Sequence, residues 1–501
     1  MCLSFFHKMK LLAKSFAALA AGIFLFSCKP TDLIRSGELP PIWPDYVNVT
    51  IPANIAPLNF GPTDSLKVKG MRVEVTDGEG KTLLRSKGTV ARFPVRKWRR
   101  VLGTVTGGTI HFTVDMKTEK GWTRFVPFDM HVTPDPIDYG LTYRMIPPGY
   151  QSFGHMGIFE RNLSNFRQRE LLDTRMVNSG CINCHTQNRT DPNSFSLHVR
   201  GAHSATFLQH DGIYECLNTV TDSTKGFFVY PYWHHSGKYI AYSTNATRQS
   251  FYTNADKMLE GYDEWSDVIV YDVENHLVLR PPQTNRDDRF ETWPAFSADG
   301  RKLYFSSSKA GKLPRDAKDL HYNLLSIDFD PESGTFGEHV DTLLDAYRMN
   351  SSFNLPRPSY DGNYILITKS DFGTLQAGHK EADLWLYDLR NGDFHNAGGI
   401  NGDGQDSFHN WSSNSRWAVT CSRREEDKLY TRLYLAHIND DGTFDKGFLL
   451  PQRNPGKYYY ELIYSYNVPD FTSGKVRFNR HTVRKMVMSP KRQSVKVGTL
   501  D

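Results

Sequence analysis

Short runs of alternating apolar and polar residues, separated by turn signals, dominate the chain after residue 45. The runs LKVKGMRVEVTDGEGKTLLRSKG, GGTIHFTVDMK and WTRFVPFDMHV follow one another, with a D-G-E-G turn inside the first. Alternation with a period of two predicts strands that bury one face, and closely spaced turns predict an antiparallel arrangement. Residues 45–140 are therefore predicted to form strands, with no pattern that predicts a helix.

The pattern changes after Pro134-Asp135-Pro136. Ser164 is a suitable helix cap, and Phe166, Leu171, Leu172 and Met176 fall on one side of the helix that would follow it. We therefore expect residues 141–194 to form a short helical segment between two β regions.

A repeat begins further along the chain. Three copies read PYWHHSGKYIAYS from Pro231, PAFSADGRKLYFS from Pro294 and PRPSYDGNYILIT from Pro356, and degenerate copies follow at 409–415 and 468–474. Each copy has a turn followed by a strand, and a second pair of strands lies between copies. Four strands in each period are typical of a β-propeller blade.

The frame P-x-x-S-x-D-G-x-x-[IL]-x-[FY]-x-S resembles the TolB-type propeller repeat, and the resemblance covers residues 195–483. Residues 195–218 supply further strands, which brings the expected number of blades to six. We expect these strands to pair with C-terminal ones and to close the ring, which removes free strand edges. The fold class is thus mainly β.

The predicted domains follow from these patterns. Residues 45–140 are expected to form a β-sandwich of immunoglobulin-like or fibronectin-like build. The short helical segment at 141–194 follows, then the propeller at 195–483, and a basic tail at 484–501.

The N-terminus resembles a bacterial lipoprotein signal. Three lysines precede the apolar run 15–26, which is too short to span a membrane, and the sequence then reads Leu25-Phe26-Ser27-Cys28. The resemblance implies that residues 1–27 are removed, that Cys28 carries lipid, and that the Pro-rich residues 28–44 are a tether. Lys29, where an acidic residue would favour the inner membrane, implies the outer membrane, facing the periplasm or the cell surface.

Charge adds little about partners. The formal net charge is +5 in 501 residues, and the aromatic residues lie in spaced repeats and not among basic clusters. A nucleic-acid partner is therefore not expected.

The chain contains one C-x-x-C-H motif, Cys181-Ile182-Asn183-Cys184-His185. This spacing is the signature of c-type haem attachment: two thiols add to the vinyl groups and the next imidazole binds the iron. We expect one haem c, held by Cys181 and Cys184, with His185 as the proximal ligand. A zinc half-site would require a second ligand pair, which the sequence lacks, and a redox thiol pair would be expected in a βαβ context.

The second axial ligand is less strongly indicated. No Met lies between Met176 and Met258, so we favour His198 on the first extended run after the motif. His203, Met156 and its neighbour His155 are the other nearby candidates, and Met258 is a remote one. A strand histidine satisfied by backbone or solvent is the competing interpretation of His198.

Two cysteines remain, Cys216 and Cys421. Cys421 aligns with small residues of the repeat, which favours a buried thiol over a Cys216–Cys421 disulfide.

These residues predict an electron-transfer or redox-sensing lipoprotein of the bacterial envelope, whose propeller docks a redox partner protein. Two alternatives stay open. One is a non-redox TolB-like lipoprotein that binds a protein or glycan; the other is an oxidoreductase, by analogy with nitrite reductases that join haem c to a propeller. No catalytic residue is assigned, because the sequence lacks G-x-S-x-G and its Ser297-Ala298-Asp299-Gly300 stretch does not match a sialidase Asp box.

Overall fold

The computed structural model describes residues 33–147, 155–220, 224, 226–254, 257–424 and 429–498, with the side chains of 251–259 excluded. The predicted signal 1–27, the predicted lipid site Cys28 and the remote ligand candidate Met258 lie outside the described residues and side chains. Within the described part of the chain, helices long and apolar enough to cross a membrane are not found.

The N-terminal unit is built on one seven-stranded sheet. Its strands pair in the order β1-β8-β7-β5-β6, while β9 also pairs with β7, and β3 lies parallel to β9. The one other sheet of this unit in the described residues is the two-stranded pair β2–β4. The two facing sheets of the predicted sandwich are therefore not shown. The strands are β1 Ile34–Arg35, β2 Ile42–Trp43, β3 Val49–Pro52, β4 Gly61–Pro62, β5 Gly70–Thr76, β6 Thr82–Gly88, β7 Thr109–Thr118, β8 Gly121–Arg124 and β9 Phe128–Thr133.

One amphipathic helix, α1 (Val95–Thr104), closes the buried side of this unit. It begins directly after Pro94, whose fixed φ suits a helix start. Trp98 and Leu102, four residues apart, are buried, and Trp98 stacks on Phe93 with ring centroids 5.4 Å apart. The helix contributes to the core through one face because residues four apart share that face.

Six groups of strands follow the N-terminal sheet in regular succession, each an antiparallel meander. We number them as blades 1 to 6. Their strands, three for blade 1 and four for each later blade, are β10 Gly140–Ile146, β11 Gly157–Asn162 and β12 Gln168–Asp173; β13 Cys181–Gln187, β14 Phe195–Arg200, β15 Ala205–His210 and β16 Ile213–Asn218; β17 Phe228–Trp233, β18 Tyr239–Asn254, β19 Lys257–Asp272 and β20 Leu277–Leu279; β21 Arg289–Phe296, β22 Lys302–Lys309, β23 Asn323–Asp330 and β24 Thr335–Leu344; β25 Ser352–Pro358, β26 Tyr364–Ser370, β27 Asp383–Asp388 and β28 Phe394–Asn396; β29 Asp406–Trp411, β30 Trp417–Ser422, β31 Arg432–His437 and β32 Phe448–Leu449.

The remaining elements come from the C-terminal part of the chain and from short connections. They are α2 Pro455–Glu461, β33 Ser465–Thr472, α3 Arg480–Met488, β34 Gln493–Ser494 and β35 Lys496–Val497, with 3₁₀ turns at Thr174–Val177, Pro282–Thr284, Ala317–Asp319, Gln376–Gly378 and Gly398–Ile400. The predicted basic tail at 484–501 thus contains most of α3 and two short strands.

The six blades form a β-propeller, and the prediction of six is confirmed. The ring closes differently from the prediction: β33 is the innermost strand of blade 1 and pairs with β10. The segment 195–218 does pair with the C-terminal chain, but only where β34 joins the outer edge of blade 2. The propeller therefore begins at residue 140, and the motif 181–185 lies within blade 2.

The predicted helix from Ser164 does not form. Gln168–Asp173 is a strand paired with Gly157–Asn162, and only the 3₁₀ turn Thr174–Val177 is helical. Antiparallel pairing satisfies the backbone groups of this edge strand that face Gly157–Asn162 and buries Leu171 and Leu172, which outweighs a weak helical pattern.

The N-terminal unit packs on blade 6. Trp417 is fully buried there and its indole N–H donates to the Asp135 carbonyl at 3.1 Å. His437 lies between the carboxylates of Asp135 and Asp445, 2.8 and 3.1 Å from them. One hydrophobic cluster includes residues of both units, so the two form a continuous core.

Candidate functional site

The innermost strands of all six blades contain a bulge at the same level. In each, the pairing with the next strand shifts register and one residue has φ between 46° and 55°. A bulge inserts one extra residue and redirects a side chain. The six bulge residues all line one central cavity of about 550 Å³ and form what we call the bulge ring: Cys184, Tyr230, Trp293, Leu355, Phe408 and Val468.

Cys184 is thus the contribution of blade 2 to the bulge ring. The residue after the bulge is Pro in four blades and His in two, His185 and His409. The prolines at this position are those that open the sequence repeat. The motif therefore occupies the repeat frame one period before its first recognised copy. This relationship is hidden in the sequence because His185 replaces the proline and Thr190-Asp191 replaces the D-G pair of the turn.

The three motif residues line the cavity together. Cys181 is half-buried, Cys184 is nearly inaccessible and His185 is 1% exposed. Both cysteines are free thiols. Cys181 opens β13 and pairs with Arg200 on β14, while Cys184 follows the point where the register shifts. Strand pairing and the bulge hold these side chains at the cavity wall.

His185 is a buried imidazole, and neither ring nitrogen makes a well-formed hydrogen bond among the described residues, although the Thr142 backbone is close enough to act on its pKa. Its ring stacks on Phe195 with centroids 6.0 Å apart. Burial, helped by the nearby charge of Arg144, lowers the pKa of His185 to about 3. The imidazole is therefore neutral at ordinary pH, which is the form that binds metal.

His409 provides an internal comparison because it occupies the equivalent position in blade 6. Its Nε2 donates to the Leu366 carbonyl at 2.8 Å, and its Nδ1 lies 3.4 Å from the Thr368 hydroxyl. Burial lowers the pKa of His409 to about 3 as well. The two histidines share burial and neutrality, but only His409 uses its nitrogens to join neighbouring blades.

The thiols do not have the properties of a redox pair or a zinc site. Burial raises the pKa of Cys184, although the charge of Arg200 acts against this. Reactive thiols have lowered pKa values. In the described part of the chain, neither Cys181 nor Cys184 belongs to a group of three His, Cys, Asp or Glu side chains with mutually close ligand atoms. Zinc sites need three or four such ligands.

Of the four nearby candidates for the second axial ligand, one lines the cavity. Met156 lines the cavity beside Cys181. His198 does not: it packs on Phe227, and its Nδ1 lies 3.2 Å from the Thr206 hydroxyl. His203 lies in the half-exposed turn between β14 and β15. The structure therefore brings Met156, and not the favoured His198, into the cavity with the motif.

His155 belongs to a separate cluster with Glu170 and Asp173, whose ligand atoms lie within 4.8 Å of one another. The carboxylates of this cluster are already paired, Asp173 with Arg175 at 2.7 Å and Glu170 with Arg480 at 3.0 Å. We interpret the cluster as a set of ion pairs that stabilises the turn after β12.

Asp470 is the one carboxyl group among the described residues that line the cavity. Its Oδ2 accepts from the Gln187 backbone N–H at 2.9 Å and the Thr186 hydroxyl at 3.1 Å, and its Oδ1 accepts from the Asn410 amide. Burial raises the pKa of Asp470 to about 7 despite these bonds. This group can hold or release a proton near neutral pH.

The other two cysteines are unpaired and buried in different hydrophobic clusters, Cys216 in blade 2 and Cys421 in blade 6. The disulfide considered from the sequence is therefore wrong, and the interpretation as buried thiols is confirmed.

Comparison with known proteins adds only distant similarity. No protein-family model matches the chain, and neither does any curated protein. A prolyl endopeptidase structure is 12% identical over 62% of this chain and 42% of that one, with a TM-score of 0.34. Dipeptidyl peptidase 4 of Porphyromonas gingivalis is 10% identical over 62% and 50%, with a TM-score of 0.29. A DUF4784 family protein from Bacteroides caccae is 8% identical over 71% and 94%, also with a TM-score of 0.29.

The chain thus spans no more than half the length of the two peptidases. Similarities at this level do not bear on function, and the description as a propeller rests on the strand pairing itself.

Proposed function

We propose that this protein is a c-type haem protein that transfers electrons or senses redox state in the bacterial cell envelope. The haem is attached to Cys181 and Cys184, has His185 as its proximal ligand, and occupies the central cavity of the propeller. The propeller then acts as both the haem pocket and the scaffold that docks a partner.

The observation that carries this proposal is that His185, buried at the cavity wall with both thiols, makes no well-formed hydrogen bond among the described residues. Leaving a buried polar group without a partner costs about 1–3 kcal/mol, so a fold that keeps one usually has another partner for it. The two thiols of the motif lie on the same cavity wall. A neutral imidazole beside two free thiols is the donor set that haem c attachment requires.

The cavity also fits the group in size and character. Ligand pockets range from about 300 to 1,000 Å³ and are mostly apolar with a few polar groups. The bulge ring supplies aromatic and aliphatic side chains, among them Tyr230 and Trp293, which stack with centroids 3.6 Å apart.

When bound, a haem supplies one-electron chemistry whose potential depends on its axial ligands and burial. The chain's own residues set those conditions. Phe195 stacks on His185 and fixes the plane of the imidazole, while Trp293 and Leu355 exclude water from the cavity. The indole N–H of Trp293 donates to the Thr374 hydroxyl at 2.9 Å, which holds this wall in place.

The envelope location follows from the lipoprotein resemblance at Cys28 and from the oxidising side of the membrane on which haem c is attached. Anchoring by lipid would keep the propeller near membrane-bound partners. Labelled palmitate incorporation that is lost in Cys28→Ala would support this location, and a protein recovered in the soluble fraction without label would contradict it.

Haem attachment is tested by expressing the chain with a haem-c maturation system. We expect a Soret band and haem that stays bound after denaturation, with both lost in Cys181→Ser/Cys184→Ser. The matched control is Cys216→Ser/Cys421→Ser, which removes two buried thiols elsewhere and should keep the haem. A colourless, folded wild-type protein would contradict the proposal and leave a non-redox binding lipoprotein as the better explanation.

A further inference from the structure

Three arginines line the cavity, and two of them, Arg144 and Arg200, lie near Cys181. Arg200 is the last residue of β14 and pairs with Cys181, Arg144 is on β10, and Arg423 directly follows β30. We call these three residues the arginine rim.

The hydrogen bonds of the arginine rim are incomplete. Arg144 donates to the side-chain oxygens of Asn183 and Asn467 and, at 3.4 Å, to the Ile182 carbonyl, all of which are neutral acceptors. The Nε atoms of Arg144, Arg200 and Arg423 are each buried without a partner among the described residues. Arg144 is the most enclosed, with 8% of its surface exposed.

The arginine rim also makes no ion pair among the described residues, although the buried carboxyl of Asp263 is close enough to Arg200 to feel its charge. Among the described residues, carboxylates within 4.0 Å of these three side chains are not found. A fourth arginine, Arg357, lines the cavity closer to Asp470, and the pKa of that carboxyl is raised to about 7 by burial. His185 and His409 are neutral. The cavity is therefore positively charged, because four guanidinium groups face one carboxyl that is largely protonated below neutral pH.

Other arginines of the propeller show how this chain satisfies a guanidinium group that has a structural role. Arg424, the next residue after Arg423, pairs with Asp406 at 2.9 Å and donates to the Ile400 carbonyl. Arg432 donates to the carbonyls of Tyr464, Tyr459 and Leu462. Burying a charge without such partners is costly. The arginine rim has the arrangement of a binding site and not that of a structural support.

We infer that the arginine rim is a binding site for an anion, either a carboxylate or a small oxyanion, in the central cavity. Guanidinium groups bind both classes through paired N–H donors. Two sources share this chemistry: the propionate groups of an attached haem, and a free oxyanion that enters the channel. The site itself exists with or without haem, so the inference goes beyond the proposed function.

The first test uses the full chain without haem, as Cys181→Ser/Cys184→Ser, and sodium sulfate as the probe. Calorimetric titration at constant ionic strength should show saturable sulfate binding. We expect Arg200→Gln and Arg423→Gln each to weaken it by roughly tenfold, the loss of one charge-assisted pair. Arg99→Gln on the exposed face of α1 is the control and should bind as tightly as the parent. Equal affinity in all variants, or no saturable binding, would overturn the inference.

The second test uses the haem-loaded chain and identifies the source of the anion. If propionates fill the site, sulfate binding disappears on haem loading, and Arg200→Gln and Arg423→Gln change the reduction potential. If a free oxyanion is the ligand, sulfate still binds to the loaded protein, and the same substitutions abolish that binding. Both results support an anion site, whereas failure of haem attachment leaves the first test unaffected.

Discussion

The Sγ atom of Cys181 lies 3.9 Å from the Sδ atom of Met156. Met156 is buried and precedes β11 in blade 1, while Cys181 opens the innermost strand of blade 2. The two sulfur atoms therefore meet at the boundary between two blades and inside the same cavity. Met156 is the candidate for the second axial position that lines the cavity together with the motif.

We predict that Met156→Leu, in the haem-loaded protein, lowers the reduction potential by on the order of 0.1 V and allows carbon monoxide to bind the reduced iron. A thioether ligand raises the potential of a haem, and axial ligands together span about 0.8 V. Leucine conserves the volume, so stability should change by less than about 1.5 kcal/mol.

His198→Gln is the control for this prediction, because that imidazole packs on Phe227 outside the cavity. If His198→Gln shifts the potential and Met156→Leu does not, the assignment of Met156 is wrong. Spectroelectrochemical titration of both variants measures the two reduction potentials.

His185 and His409 allow a second matched comparison, because they occupy the same position in different blades. We predict that His185→Gly keeps the covalent haem but loses the low-spin spectrum, and that added imidazole restores it. His409→Asn should leave the spectrum unchanged and reduce only stability, by about 1–3 kcal/mol, since its contacts with Leu366 and Thr368 are structural. A normal spectrum in His185→Gly would exclude His185 as the iron ligand.

The propeller could be predicted from the sequence because its turns are local. Gly237, Gly300 and Gly362 all have φ near +75°, a conformation that glycine adopts without strain, and each follows a Ser or Asp that shapes the turn. Those glycines fix the repeat frame. The same frame is hidden in blade 2, where His185 replaces the proline and Thr190-Asp191 replaces the D-G pair of the turn.

Blade 1 could not be predicted in this way. Its strands β10 to β12 precede the first recognised repeat, and its innermost strand β33 begins more than 300 residues after the end of β10. Such pairing leaves no local signal in either segment. For the same reason, the motif could be identified from the sequence but its surroundings could not. Arg144, Arg200 and Arg423 come from three blades and line the same cavity only in the closed ring.

Asp470 predicts a dependence of stability on pH. Its pKa is raised from 3.8 to about 7 in the folded chain, so the folded state holds a proton that the unfolded chain releases above pH 4. The stability linked to this proton is fully present below pH 4 and is lost as pH rises to 7, by up to about 4 kcal/mol. We predict that Asp470→Asn removes this loss.

The measurement is urea unfolding of both proteins at several pH values between 4 and 8. The free energy of unfolding of the wild type should fall relative to that of Asp470→Asn across this range. Asp403→Asn, in an exposed loop, should follow the wild type. Parallel curves for wild type and Asp470→Asn would show that Asp470 is ionised throughout.

His437 predicts the opposite kind of dependence at the contact between the N-terminal unit and blade 6. Partial burial disfavours its charge, but hydrogen bonds to Asp445 and Asp135 outweigh this and raise its pKa. Its contribution is therefore fully present below pH 6.5 and lost as pH rises through the higher pKa of the folded state. We predict that His437→Gln destabilises the protein by roughly 1–2 kcal/mol at pH 6, and by less at pH 9.

Limited proteolysis and urea unfolding at the two pH values measure this difference. His395→Gln is the control, since His395 pairs with Asp393 on the solvent-exposed edge of blade 5. An effect of His437→Gln that is the same at both pH values would indicate that the imidazole is neutral in the contact.

Gly300 and Gly362 occupy equivalent turns of blades 4 and 5, with φ of 74° and 78°, but differ in their neighbours. A Cβ at Gly362 would lie 3.5 Å from the Cβ of Ala298, an ordinary contact, whereas a Cβ at Gly300 would overlap the imidazole of His234. His234 is 1% exposed and its Nδ1 lies 2.7 Å from the Ser236 hydroxyl, so it has little room to move. A substitution at Gly362 therefore introduces backbone strain alone, whereas one at Gly300 introduces backbone strain and overpacking together.

We predict that Gly362→Ala costs about 1–2 kcal/mol, the strain of the left-handed conformation, and that Gly300→Ala costs a further 1–3 kcal/mol, roughly, from overpacking. Urea unfolding of both variants measures the difference. In the His234→Ala background the extra cost of Gly300→Ala should vanish, because the overlapping ring is gone. An equal cost for the two glycines in the wild-type background would mean that His234 is free to shift, and that the contact between blades 3 and 4 is loosely packed at this turn.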